Sequence, residues 1–555
     1  VLNKKVRDYQ LSWATCLVCL MVCLVPTTRA NAILTSSTLF SFDLTTNSGG
    51  VVESNGYLFG TLTNTSLSYG GAIYKVSVDG GQPEIIYQLN GDKDKDGYVP
   101  AAGLLVGSDG YLYGSTVYGS RKTVFNLKEG TGTLFRVSPD GVGFETLHKF
   151  DSSTVLTTNN LLSNSDGLYP SFPLIEDKND PNTFYGVTTY GGTNGTGVIF
   201  SITSDGRFTK LFEFQNLLKD LDATNNNGNA WQNEKGAFPS GPLVFVEGCG
   251  TRGCLYGVTS AGGSNLYKTT DNSVTPASIS YKGAGTVFKL DLSNNEVSLV
   301  RQFDSLSKSI GSDGRLTFSS GADSYGINQG TSPTNGLIEL KDHPGVLVGT
   351  TLAGGVPSEC HAETSTNKRV CNPVSEFSSD TTDENAGLGV VYKIDTNQDD
   401  QFDVLHYFDS SVEKNSALGK VVDIGGKLYG LFLSSSPGSY GTVFSIDLDK
   451  DNAYDIVLEN DNNLSYPNSG ILLSESNANY FYGTTSAYGG SCGFGNVYRL
   501  SFDSAAPPVS SYSNCYTAAS PNSGGGSMDK GWLCVLLGLV ALASLRRRVF
   551  GFSSV

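Results

Sequence analysis

The chain has 555 residues, with 53 acidic and 37 basic side chains and a net charge of −16. A nucleic-acid binder would need a basic face to displace counterions, and this balance excludes one. With 28 tyrosines, 28 phenylalanines, 67 glycines, two methionines and only 16% charged residues, the composition is too aromatic for disorder and too poor in helix formers for a helical protein.

The chain opens on an export signal. Lys4, Lys5 and Arg7 precede an apolar stretch from about Leu11 to Val25, and Ala30-Asn31-Ala32 offers a cleavage site, so residues 1–32 read as a signal peptide. Cys16, Cys19 and Cys23 leave with it.

Residues 33–503 repeat one unit seven times. Its anchor is an aromatic or apolar doublet followed by glycine: Leu58-Phe59-Gly60, Leu112-Tyr113-Gly114, Phe184-Tyr185-Gly186, Leu255-Tyr256-Gly257, Leu347-Val348-Gly349, Leu428-Tyr429-Gly430 and Phe481-Tyr482-Gly483. A Gly-Gly turn follows most anchors. Then comes an alternating apolar strand such as Gly285-Thr286-Val287-Phe288, a turn that is often Asp-Gly, and a Leu-x-x-Phe strand such as Leu405–Phe408. Alternation bounded by Gly, Asn and Asp turns is hairpin chemistry, giving four antiparallel strands per unit, A to D. One such sheet cannot bury both faces, and repeated four-stranded sheets pack face to face around an axis. The seventh unit lacks a D strand, while Leu39-Phe40-Ser41-Phe42-Asp43 at the start of the body supplies one. The expected fold is therefore an all-β, seven-bladed propeller closed by an N-terminal strand.

Within the first unit, Asp92, Asp94 and Asp96 alternate and Gly97 stands sixth, like the first half of a calcium loop; Gly103 occupies the twelfth place. Calcium is thus the expected cofactor, against the alternative of a solvated acidic loop. Six cysteines remain in the exported body and fall into the neighbouring pairs Cys249–Cys254, Cys360–Cys371 and Cys492–Cys515, which read as disulfides.

Residues 504–527 form a Ser/Pro/Gly-rich linker, and residues 528–555 a membrane segment: the apolar run 531–545 followed by Arg546, Arg547 and Arg548. Each terminal segment carries a net +3, which leaves the body at −22. The order of Gly524, Gly525, Gly526 and Ser527, apolar span and arginine cluster resembles the GlyGly-CTERM sorting signal of Gram-negative bacteria. That resemblance implies a rhomboid-like sorting protease as partner and display at the cell surface or release. The anchors, Gly-Gly turns and Gly-Thr-Val-Phe strands resemble the GloVer-type tandem repeat of choice-of-anchor bacterial surface proteins. This implies a propeller and a surface location, and no catalytic residues.

In an A-B-C-D meander the B–C and D–A loops share one end, and nearly all long insertions fall there: 262–283, 355–387, 151–169, 215–239 and 304–335. A ligand, glycan or surface protein, is expected on that face. Tyr118, Tyr190 and Tyr488 hold equivalent B–C positions on it; sugar stacking and repeated turn packing both remain open. His148 and His406 share one D-strand position and read as scaffold. No catalytic motif of known spacing is present, so the reading is a non-catalytic binding or structural module. The rival is an extracellular glycosidase or lyase using acidic residues on the same face.

Overall fold

The computed structural model describes residues 34–502 apart from 43–45, 48, 65–69, 91–95, 101, 120–130, 152–154, 157–160, 216–232, 234, 264–265, 272–277, 284, 304–306, 311–315, 320–330, 354–359, 364–367, 372–388, 409–416, 433–440, 466, 468 and 486–494. The signal, linker, sorting and membrane segments lie outside the described residues, as do Asp92, Asp94, Cys492, Cys515 and Tyr488.

Seven antiparallel sheets form a ring, a seven-bladed β-propeller. Taking strands B, C and D in turn, blade 1 uses Tyr57–Asn64, Ala72–Ser77 and Glu84–Gln88; blade 2 uses Leu112–Thr116, Thr133–Val137 and Glu145–Lys149. Blade 3 uses Thr183–Thr188, Val198–Thr203 and Phe208–Glu213; blade 4 uses Cys254–Ala261, Thr286–Asp291 and Glu296–Gln302. Blade 5 uses His343–Ala353, Val390–Asp395 and Gln401–Tyr407, and blade 6 uses Lys427–Phe432, Gly441–Asp447 and Ala453–Asp461. The A strands of blades 2, 3 and 7 are short, Leu105–Val106, Ile175–Glu176 and Leu472–Leu473, whereas those of blades 5 and 6 run Thr331–Leu340 and Ala417–Ile424. Blade 7 completes Tyr480–Thr484 and Asn496–Ser501 with the N-terminal strand Thr35–Ser41.

That closing strand lies four residues earlier at its start than the Leu39–Asp43 phrase. Thr35 pairs with Ser501 and Ser41 with Asn496, so the strand must run the full length of its partner, while Phe42 only donates its N–H to Gly495 O at 2.9 Å.

Each blade interface holds its own apolar cluster. The one between blades 7 and 1 joins Leu39, Phe42, Tyr482 and Val497 to Leu58 and Tyr74. The one between blades 3 and 4 joins Tyr185 and Ile199 to Leu243 and Phe288. The core is thus seven wedges of buried side chains rather than one central mass, as expected where every sheet faces two neighbours.

The long loops build small sheets of their own. Leu266–Asp271 pairs with Ser278–Gly283 inside the B–C loop of blade 4. The D–A loop strands Ser307–Ile310 and Leu316–Ser319 join the B–C loop strands Cys360–Glu363 and Lys368–Cys371 through the Thr317–Val370 pair. Insertions distant in sequence meet on one end of the ring, as the strand order requires.

Candidate binding face

On this end, the D–A loop of successive blades closes with the same device. Val99, Tyr169, Phe238 and Ser332 each precede a proline and each adopt positive φ, at 59°, 59°, 58° and 54°. Non-glycine residues seldom occupy this region, and strain recurring at four equivalent positions marks a backbone held by its surroundings. The holding groups are visible: Val99 N donates to Gly70 O at 3.0 Å, Tyr169 N to Thr131 O at 3.3 Å and Phe238 N to Thr196 O at 2.9 Å, each across to the preceding blade.

The anchor threonines hold the facing B–C turns. Thr116, Thr188 and Thr259 Oγ1 donate to the carbonyls of Tyr118, Tyr190 and Ala261 at 2.8–2.9 Å. Thr188 and Thr259 also accept the first N–H groups of strand C, from Val198 and Thr286 at 3.2 Å. Loop and turn then join, because Tyr98 N donates to Tyr118 O and Leu168 N to Tyr190 O, both at 2.7 Å.

The outcome is an arc of five rings across blades 2, 3 and 4. Centroids are 6.4 Å apart for Tyr98–Tyr118, 5.6 Å for Tyr118–Tyr169, 5.9 Å for Tyr169–Tyr190 and 5.4 Å for Tyr190–Phe238. The pairs flanking Tyr169 meet edge to face, a geometry favoured by the ring quadrupole. Burial raises the Tyr118 and Tyr169 phenols, and their tyrosine neighbours add to this. Tyr118 and Tyr169 therefore keep their phenol protons at physiological pH, and Tyr190, 38% exposed, presents the arc to solvent. The sequence had offered Tyr118 and Tyr190. The structure connects them through Tyr169 and extends the series by Tyr98 and Phe238, which the sequence reading missed. For Tyr169 and Phe238 the signal was an aromatic–proline step, Tyr169-Pro170 and Phe238-Pro239, ending successive D–A loops, whereas Tyr98 stands one residue further back, before Val99-Pro100.

Asp96 is fully buried in the first D–A loop, where its Oδ2 accepts the Asn90 N–H at 2.7 Å and the Tyr87 hydroxyl at 3.4 Å. Asp166 takes the same place one blade later. It accepts Asp151 N and the Nε2 side of His148, both at 2.9 Å, and Asn164 Nδ2 at 3.1 Å. These two carboxylates tie strand D to the following loop. His148 and His406 also prove to be scaffold: each stacks at 3.9 Å on an aromatic ring of the next blade, Phe208 or Tyr454.

Cys249 and Cys254 form a disulfide at the opposite end, across the A–B turn of blade 4. Cys360 and Cys371 are backbone partners in the loop sheet.

The Gloeobacter/Verrucomicrobia repeat model matches residues 46–336. No curated protein matches the chain in sequence. Similar solved structures include a PL25 ulvan lyase bound to a GlcA–Rha3S saccharide, at 9% identity and TM-score 0.42, covering 83% of this chain and 94% of that one. An ancestral GH74 enzyme is 10% identical, with TM-score 0.44 and coverage of 83% and 48%. A chain of a nidogen/laminin complex is 11% identical, with TM-score 0.34 and coverage of 70% and 91%. At such identities the likeness concerns fold alone.

Proposed function

The chain belongs to the Gloeobacter/Verrucomicrobia repeat family, and on that premise we propose that it is a non-catalytic propeller displayed at the bacterial cell surface, binding a glycan on its loop-rich face. The aromatic arc carries the reading. Five linked rings, held by strained loop residues and threonine clamps, present apolar faces and phenol hydroxyls together, which is the chemistry that stacks on a sugar ring and bonds its hydroxyls. Tyrosines with raised pKa values offer contact rather than proton transfer. Export through residues 1–32 and sorting through Gly524 to Ser527, the apolar span and Arg546 to Arg548 would place that face outside the cell.

A glycan array beside a reducing-sugar release assay tests the proposal. Binding without release is expected, and Tyr190→Ala or Tyr169→Ala should weaken it about tenfold. Release of sugar ends would instead support the glycosidase or lyase reading. Binding indifferent to both substitutions would remove the arc from the account. Surface display is checked by fractionation, where replacing Arg546, Arg547 and Arg548 by alanine should divert the protein from its final location.

A further inference from the structure

At the other end of the ring, blades 3 and 4 leave a cavity of about 200 Å3 between them. The register explains why it exists. In blades 1, 2 and 5 a cation on strand C pairs with the acid opposite it on strand D: Lys75–Glu84 at 3.1 Å, Arg136–Glu145 at 2.8 Å and Lys393–Asp403 at 3.5 Å. The equivalent cross-strand pair of blade 3 is Ser201 and Thr209, with Ser201 opposite the anchor Tyr185. Two short hydroxyl side chains replace two long charged ones, and the space is left open.

Its walls are polar. Ser201 and Thr209 bring hydroxyls from blade 3, those of Thr183 and Thr203 are donated to Asp180 and Asp205 at the rim, and Asn295 brings an amide from blade 4. Arg207 enters from the C–D turn of blade 3, and Arg252 from the disulfide-closed turn of blade 4. Among the described residues lining the cavity there are two guanidinium groups and no carboxylate, in a body of net charge −22. Neither cation is strongly engaged. Arg252 gives one 3.4 Å hydrogen bond to Leu292 O, and Arg207 lies 3.8 Å from Asp205.

We propose that this cleft binds a small hydroxylated carboxylate, of the sugar-acid class. A guanidinium offers a planar fork of donors that suits a carboxylate, and surrounding hydroxyls suit a polyol. The volume suits one ring-sized unit, and the cleft lies at the opposite end of the ring from the aromatic arc.

Calorimetric titration of the full-length protein tests it, with galacturonate as probe and galactose as the neutral control, each to about 10 mM. Galacturonate should bind at least tenfold more tightly than galactose. Arg252→Ala should cost about tenfold. The double substitution Ser201→Arg with Thr209→Glu copies the ion pair of blades 1, 2 and 5 and fills the cleft; it should abolish binding without lowering the melting temperature. If that variant melts lower, Arg252→Ala alone decides. Equal binding of acid and neutral sugar overturns the proposal, as does acid binding that survives in the filled variant. Acid binding lost instead in Tyr169→Ala belongs to the aromatic face and overturns it too, while leaving the glycan reading intact.

Discussion

The glycine of each anchor is legible in the sequence as a repeat, but its reason lies across the sheet. Gly114, Gly186 and Gly257 pair directly with Phe135, Phe200 and Phe288 of strand C. A Cβ at any of these three would sit 2.5 Å from the partner ring, and Tyr74, Tyr392, Phe444 and Tyr498 cover the glycines of the other units. The ring lies flat over the bare backbone because nothing stands between them, so aromatic and glycine are one motif written in two places. Gly257→Ala should therefore act by overpacking, lowering stability by about 1–3 kcal/mol. Denaturant unfolding measures this, and Gly257→Ala combined with Phe288→Leu should recover part of the loss. If the single alanine is neutral, the ring is not confined as described. Proximity of this kind needs the register, which sequence alone supplies only once the strands are paired.

At the level of the element, the four-strand unit could be read from alternation and turns, whereas the bulge in its last strand could not. Every C–D ladder shifts register at one shared place, between Ile73 and Tyr74, Thr146 and His148, Ile199 and Phe200, Val287 and Phe288, Val391 and Tyr392, Val443 and Phe444, and Thr38 and Phe40, and blade 6 shifts again between Gly441 and Val443. An extra residue turns the strand and re-aims the side chain that follows it. In blades 1, 2, 4 and 5 that side chain is Tyr87, His148, Arg301 or His406, and each lies on an aromatic ring of the next blade: Phe144, Phe208, Phe402 or Tyr454. Blades 3, 6 and 7 place Phe212, Leu458 and Phe40 there. Chemically unlike residues share one flat contact, which is why the position shows no single letter. A flat face is the feature Tyr87, His148, Arg301 and His406 share, and at His148 the imidazole also meets Asp166 at 2.9 Å. His406→Phe should leave the melting temperature nearly unchanged, and His406→Ala should cost roughly 1–2 kcal/mol. A phenylalanine as damaging as alanine would assign the histidine a polar duty instead.

Over the whole molecule, the wedge arrangement distributes tyrosines through every interface, and their burial makes stability sensitive to alkali. Desolvation pushes Tyr482 up to about 12, and Tyr87 up to about 12 with help from Asp96. Tyr113, Tyr185, Tyr256, Tyr392 and Tyr498 are raised by the same cause. An unfolded tyrosine ionises near pH 10, so the contribution is fully present below that pH. It is lost as the pH rises from about 10 towards the folded values, because only the unfolded chain releases its protons there. Melting temperature should hold to about pH 10 and then fall steeply, with a jump in phenolate absorbance at the unfolding transition as the buried tyrosines are released. Unfolding with no such jump would contradict the buried setting.

Closure decides whether those wedges act together. Without Thr35–Ser41, strand Asn496–Ser501 becomes an open edge, and the cluster of Leu39, Phe40 and Phe42 with Tyr74 and Tyr482 is broken. Side-chain bonds reinforce the joint: Thr38 Oγ1 donates to Asn463 Oδ1 at 2.7 Å, and Asn463 Nδ2 to Ser36 at 2.8 Å. On the far side of blade 7, Glu53 of blade 1 accepts Ser474 Oγ at 2.7 Å and Glu475 N at 3.0 Å, so the first blade grips the last through a second, independent contact. A ring depends on its joint more than an open array does, because one broken interface exposes two apolar faces at once. Deleting residues 33–43 should replace a single cooperative transition by a broad one and promote association through the exposed edge. A peptide spanning residues 33–43 should restore the sharp transition in proportion to its concentration, as any ligand of the native state does. If the deleted protein melts as one unit at its original temperature, the N-terminal strand is an ornament, and the Glu53 contact alone holds the circle.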